Sequence, residues 1–128
     1  MEDTIVALAT PPGEGAIHII RLSGKNAFNI GKACFEPKNK NKWQADTSYT
    51  LHYGWFLDGT KKIDQVLVAR MRGPQSYTGE DVLEIHCHGG MLVARRIIEA
   101  CLHQGARLAE AGEFSKRAFL NGKIDLVQ

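Results

Sequence analysis

The residues best able to do chemistry crowd one short run, Asp81-Val82-Leu83-Glu84-Ile85-His86-Cys87-His88, which leads directly into Gly89-Gly90. Strict alternation marks the run as a strand, so Leu83, Ile85 and Cys87 point one way while Val82, Glu84, His86 and His88 point the other. Two histidines at i and i+2 share a face, which makes a metal site conceivable. Cys87 turns away from them, however, and no further Cys or His stands at a familiar ligand spacing, so no metal is expected. What remains is a polar stripe beside a glycine turn, which is either the floor of a small-molecule site or an exposed sheet edge. On such a floor the Glu84 carboxylate can accept two parallel hydrogen bonds from a ring carrying an N–H next to an exocyclic NH2, as in guanine and pterins. Arg21 and Lys123 are basic residues that anionic ligand groups can use, although spacing alone reads each first as a surface charge.

Other constellations fall away on chemistry. Gly13-Glu14-Gly15 follows an apolar run, as a phosphate loop would, but Gly15 is followed by Ala16-Ile17 and not by Lys and Ser/Thr. Without those groups to grip phosphate and Mg2+, the segment reads as a tight turn and no nucleotide-triphosphate site is expected. Cys34, Cys87 and Cys101 lie in apolar patterns where a buried thiol is the default, and no Ser-His-Asp or Cys-His pairing can be argued, so no catalytic residue is assigned. Lys38-Asn39-Lys40-Asn41-Lys42 reads as a solvated basic loop, with contact to RNA phosphate as its other use.

The elements that must position these groups follow from periodicity. Thr4–Ala9 is a short apolar strand stopped by Pro11-Pro12-Gly13, and Ala16–Leu22 is a second, β-branched one ended by Ser23-Gly24. Lys25–Phe35 has helical spacing and is closed by Pro37. Tyr49–Leu57 and Asp64–Met71 flank Asp58-Gly59, a strong hairpin signal. Gly73–Gly79 is a loop, and after the Glu84 strand a helix runs from Gly89-Gly90 to the stop at Gly105, with Met91, Ala94, Ile98 and Cys101 on its apolar face. Ala106–Ala109 suits a last short strand, and Glu113–Asn121 a last helix. Mixed in this order, the elements indicate an α+β fold and not a regular βαβ one.

Composition sets the frame. The chain has 128 residues, 16 Lys+Arg against 14 Asp+Glu, a net charge of +2 and 44% apolar residues. That is enough for one self-sufficient core, with no general field that would attract nucleic acid. Three cysteines cannot all pair, which favours a reduced, cytoplasmic setting. The opening residues lack the basic flank and length of a signal peptide, and no apolar stretch approaches the roughly 20 residues of a membrane helix.

Four stretches taken together carry a resemblance. They are Asp3-Thr4-Ile5-Val6-Ala7 with Ala9-Thr10-Pro11-Pro12-Gly13; Ile20-Arg21-Leu22-Ser23-Gly24; Ser76-Tyr77-Thr78-Gly79-Glu80-Asp81-Val82-Leu83-Glu84 with His88-Gly89-Gly90; and Gly112-Glu113-Phe114-Ser115-Lys116-Arg117-Ala118-Phe119-Leu120-Asn121-Gly122-Lys123. Their order and spacing resemble the N-terminal domain of the MnmE (TrmE) family of tRNA modification GTPases over nearly the whole chain. The resemblance implies a mixed sheet with flanking helices, similar to the tetrahydrofolate-binding domain of aminomethyltransferases. It implies a formyl- or methylene-tetrahydrofolate ligand, a homodimer, the flavoprotein partner MnmG (GidA), and tRNA wobble uridine as the substrate of the complex. The implied folate contacts fall on Arg21, Glu84 and Lys123. Residues 1–122 correspond to the folate-binding and dimerisation domain and 123–128 to the start of the helical domain, with GTP, Mg2+ and K+ belonging to a GTPase domain beyond. The alternative is an RNA-contacting or assembly module, using Lys38, Lys40, Lys42, Arg95 and Arg96, that binds no folate. Two departures stand out: Ala111 replaces the family's usual Pro, and His18, expected to face away from Arg21, replaces a small or apolar residue.

Overall fold

The computed structural model describes residues 3–13, 17–46 and 49–122. The elements run β1 (Ile5–Leu8), β2 (His18–Ser23), α1 (Ala27–Cys34), β3 (Phe35–Pro37), α2 (Lys40–Ala45), β4 (Leu51–Asp58), β5 (Lys61–Met71), β6 (Val82–Cys87), α3 (Gly90–His103), β7 (Arg107–Leu108) and α4 (Glu113–Leu120). The strands form one sheet in the order β3-β4-β5-β6-β2-β1-β7. Its pairings are antiparallel except β1 with β7, which is parallel, so the sheet is mixed and the fold is α+β as expected.

Two expectations are corrected. The basic run at 38–42 is a loop only at Lys38-Asn39: Asn39 caps a short helix, Lys40–Ala45, by accepting a hydrogen bond from the Lys42 N–H at 2.9 Å, and Trp43 anchors that helix in the core. The lysines dominate the local pattern, whereas one Asn cap and one buried aromatic set the helix. The first helix also ends before Phe35, because Phe35-Glu36-Pro37 pairs with Phe56-Trp55-Gly54 of β4 as a strand. Gly54 permits this: a Cβ there would lie 2.2 Å from the Glu36 carbonyl oxygen. The hairpin forms as expected around Asp58-Gly59, with Gly59 at φ +62°, and its second arm starts earlier, at Lys61.

One face of the sheet holds Val6, Ile20, Leu22, Leu83, Ile85, Cys87, Val66, Val68 and Phe56, buried beneath α1 and α3. The helices fit this face through Ala27, Ile30 and Cys34 of α1 and Ala94, Ile97, Ala100 and Cys101 of α3. Among the described residues the second face is covered at one end only, by α4 and the 72–81 loop. There Ser23 Oγ lies 2.6 Å from Thr78 Oγ1 and donates to Glu80 at 2.7 Å. Arg117, 2% exposed, pairs with Glu80 at 3.1 Å and Glu113 at 3.1 Å and donates to the Asp3 carbonyl at 2.7 Å. The remainder of this face carries Leu51 and Tyr53 exposed and Ile19, Leu67 and Met71 half-buried. Among the described residues no helix is long and apolar enough to cross a membrane.

Candidate functional site

The alternation expected for the Glu84 strand holds, and it decides what Glu84 meets. In the antiparallel register Arg21 of β2 stands directly opposite Glu84 of β6, so both side chains rise from the second, half-covered face. Arg21 grips one carboxylate oxygen twice, with Nε at 2.9 Å and Nη2 at 2.8 Å from Glu84 Oε2. The other oxygen, Oε1, lies 3.5 Å from His86 Nε2. That separation is too long and poorly aligned for a hydrogen bond, and His86 Nε2 is buried with no partner in the structure. Oε1 therefore keeps acceptor capacity directed along the face.

The row continues to either side with Ala7 beside Arg21 and Ala69 beside Glu84. Two charged side chains flanked by two alanines make a low floor on which a flat ring has room. The wall at the covered end is aromatic: the Arg21 guanidinium lies 5.1 Å from the Tyr77 ring centroid and 5.7 Å from that of Phe114. Cation–π attraction to both rings helps to hold the fork flat. Tyr77 OH lies 2.9 Å from Ser115 Oγ, which ties the 72–81 loop to α4. The wall is braced from behind by the buried Arg117 and by Asn121, whose side-chain amide donates to the Thr78 carbonyl at 2.9 Å. Glu113 joins the brace, and its carboxyl is held down to about 2, first by hydrogen bonds from Arg107 and then by the Glu110 N–H and Arg117.

Of the three candidate site residues, the structure brings Arg21 and Glu84 into contact; Lys123 lies outside the described residues. Tyr77, Phe114 and His86 border the pair and were not assigned to the site from the sequence. His86 was visible as a member of the same stripe, whereas Tyr77 and Phe114 reach Arg21 through a loop and a helix distant in sequence. His18 faces away from Arg21 as expected, but it is 1% exposed and neither ring nitrogen has a hydrogen-bond partner. Ala111 is exposed. Among the described residues no three of His, Cys, Asp and Glu converge as a metal site would require. Of the Gly13-Glu14-Gly15 turn, Glu14 and Gly15 lie outside the described residues. The three cysteines are free and buried; desolvation pushes the thiols of Cys34 and Cys87 up to about 11 and that of Cys101 higher, which leaves them protonated and poor nucleophiles at neutral pH.

Comparison with known proteins matches these elements to one family. Residues 4–123 match the family described as the GTP-binding protein TrmE N-terminus. The chain is 58% identical, over its whole length, to the tRNA modification GTPase MnmE of Desulfitobacterium hafniense, and covers 28% of that protein. It is 54% identical to the MnmE of Carboxydothermus hydrogenoformans and 51% identical to that of Clostridioides difficile, again over the whole chain and 28% of each relative. It thus spans a little over a quarter of the length of these relatives. With the match running from the first strand to the end of the last helix, the chain belongs to the family of TrmE N-terminal domains, the N-terminal part of the MnmE tRNA modification GTPases.

Proposed function

We propose that this chain is the folate-binding and homodimerisation domain of a cytoplasmic tRNA modification GTPase that acts with MnmG on the wobble uridine of certain tRNAs. The observation that carries the ligand reading is the Arg21–Glu84 pair, set between Ala7 and Ala69 under an aromatic wall. The fit is chemical: a pterin presents an N–H beside an NH2, and Glu84 Oε1 is left to receive one of these donors while Oε2 accepts from Arg21. A bound formyl- or methylene-tetrahydrofolate would supply the one-carbon unit. This chain's residues would hold and orient it, Glu84 through the pterin donors and Arg21 by fixing Glu84. Lys123 is proposed for an anionic group of the ligand on family resemblance alone. GTP, Mg2+ and K+ belong to the part of the protein beyond this chain, and GTP hydrolysis is assigned there.

The dimer reading rests on the uncovered part of the second face, where Leu51, Tyr53 and Ile17 are 42–47% exposed beside the half-buried Leu67 and Met71. A patch of that kind, continuous with the floor of the site, suits a second copy of the chain. Calorimetry with formyl-tetrahydrofolate tests the ligand. Binding by the native chain, weakened about 10- to 150-fold by Glu84→Ala through loss of about 1.5–3 kcal/mol, is the expected result. Equal affinity of the two forms removes Glu84 from the site.

A further inference from the structure

The lysines around α2 are the one prominent sequence feature that the proposed site does not use. Lys32, Lys38, Lys40 and Lys42 are all exposed, and among the described residues none of them forms an ion pair. Residues 25–46 hold five lysines against Glu36 and Asp46, a local excess larger than the +2 of the whole chain, so the rest of the molecule carries a small negative excess. Four of those five lysines, Lys32, Lys38, Lys40 and Lys42, lie at the α2 end of the molecule and line the hollows beside it, whereas Lys25 borders Glu80 and Asp81.

The structure gives that end a shape. Helix α2 stands as a ridge with a hollow on either side, and Lys40 borders both. One hollow, of about 710 Å3, runs along Lys38 to Lys42. The other, of about 650 Å3, opens between α1 and α2 and is bordered by Phe28, Lys32, Trp43 and Arg72. In it the exposed Arg72 guanidinium lies 5.2 Å from the Phe28 ring centroid, where it offers a planar cationic surface. Arg70 stacks on Trp43 at 3.6 Å from the ring centroid and donates to the Trp43 carbonyl, which fixes the back wall. Arg70 and Trp43 belong to the helix-covered side, so this groove faces away from the surface proposed for self-association, whereas the hollow along Lys38–Lys42 reaches Tyr53 of that surface.

We propose that the α2 ridge and its groove form an RNA-binding surface, with Lys38, Lys40 and Lys42, which line one hollow, on backbone phosphates and an unpaired base against Arg72 in the groove. Point-charge ammonium groups along a ridge suit a phosphate backbone, and a guanidinium plane beside an aromatic ring suits a base. An acidic protein segment would use the charges but leave the stacking surface idle. The reading is independent of folate binding, and RNA is the substrate class named for the relatives.

The test is fluorescence anisotropy of labelled tRNA with this chain, from low salt to about 200 mM. The native chain should bind with a log-affinity that falls linearly with log salt, since each phosphate contact contributes roughly 0.7–0.9 to the slope. Charge reversal of the ridge, Lys38→Glu with Lys40→Glu and Lys42→Glu, should weaken binding at least about tenfold and reduce the slope by about 2. The same reversal at Lys61 and Lys62, exposed at the start of β5, should change it less than about twofold. No binding at low salt overturns the proposal. So does an equal loss in both variants, which means diffuse charge, and so does equal competition by polyaspartate, which assigns the surface to an acidic protein.

Discussion

His18 carries two ring nitrogens into the core with nothing to bond them. Burying an unsatisfied polar group costs about 1–3 kcal/mol, which an apolar side chain of similar breadth avoids. His18→Val is therefore expected to raise the midpoint of urea unfolding by about 1 kcal/mol of stability, and a fall would show that the imidazole is partnered in solution. Glu113 makes the opposite case. Its carboxyl titrates at about 2, against an ordinary 4.5, because the folded state favours the charged form. The stabilisation is complete above about pH 4.5 and is lost as pH falls toward 2, so stability should decline across that window and decline less in Glu113→Gln. Denaturant midpoints at pH 5, 4 and 3 decide it. At this scale the sequence disclosed the chemistry of Glu84 well, because alternation fixes which neighbours share its face. It did not disclose that Arg21 stands opposite, since register between strands some sixty residues apart is set by packing and not by local pattern.

Among the elements, those with strong local signals appeared where periodicity placed them: the Asp58-Gly59 hairpin, the alternating β6 and the amphipathic α3. Those that went unseen, β3 and α2, are held by tertiary contacts. Gly54 lets β3 approach β4, and Trp43 meets Phe35 edge-on, with ring centroids 5.0 Å apart. Helix α4 was legible as a helix but not as a brace. The Glu113–Arg117 spacing, i to i+4, was in view, whereas Glu80 and the Asp3 carbonyl reach Arg117 from across the chain. The site thus depends on an element that meets its ligand-facing pair through Phe114.

For the molecule as a whole, the asymmetry of the sheet matters most. One face is sealed by α1 and α3, while the other, among the described residues, is sealed only beside α4 and leaves Leu51 and Tyr53 exposed. If that face meets a second copy, Leu51→Asp should turn a dimer into a monomer in sedimentation while leaving the fold intact, because Leu51 is already 45% exposed and supports little of the core. A dimer that persists in this variant places the contact elsewhere.

The parallel pairing of β1 with β7 has a consequence for synthesis. Ile5 and Val6 are made about a hundred residues before one of their two sheet neighbours, Arg107-Leu108, and the central β2–β6 pair also waits until residue 87. Two antiparallel pairs can form from local contacts, β1 with β2 and β4 with β5. Through most of its synthesis, then, the β1–β2 pair keeps both outer edges open, and protease resistance of ribosome-stalled chains should appear in one late step, once β6 and then β7 have emerged.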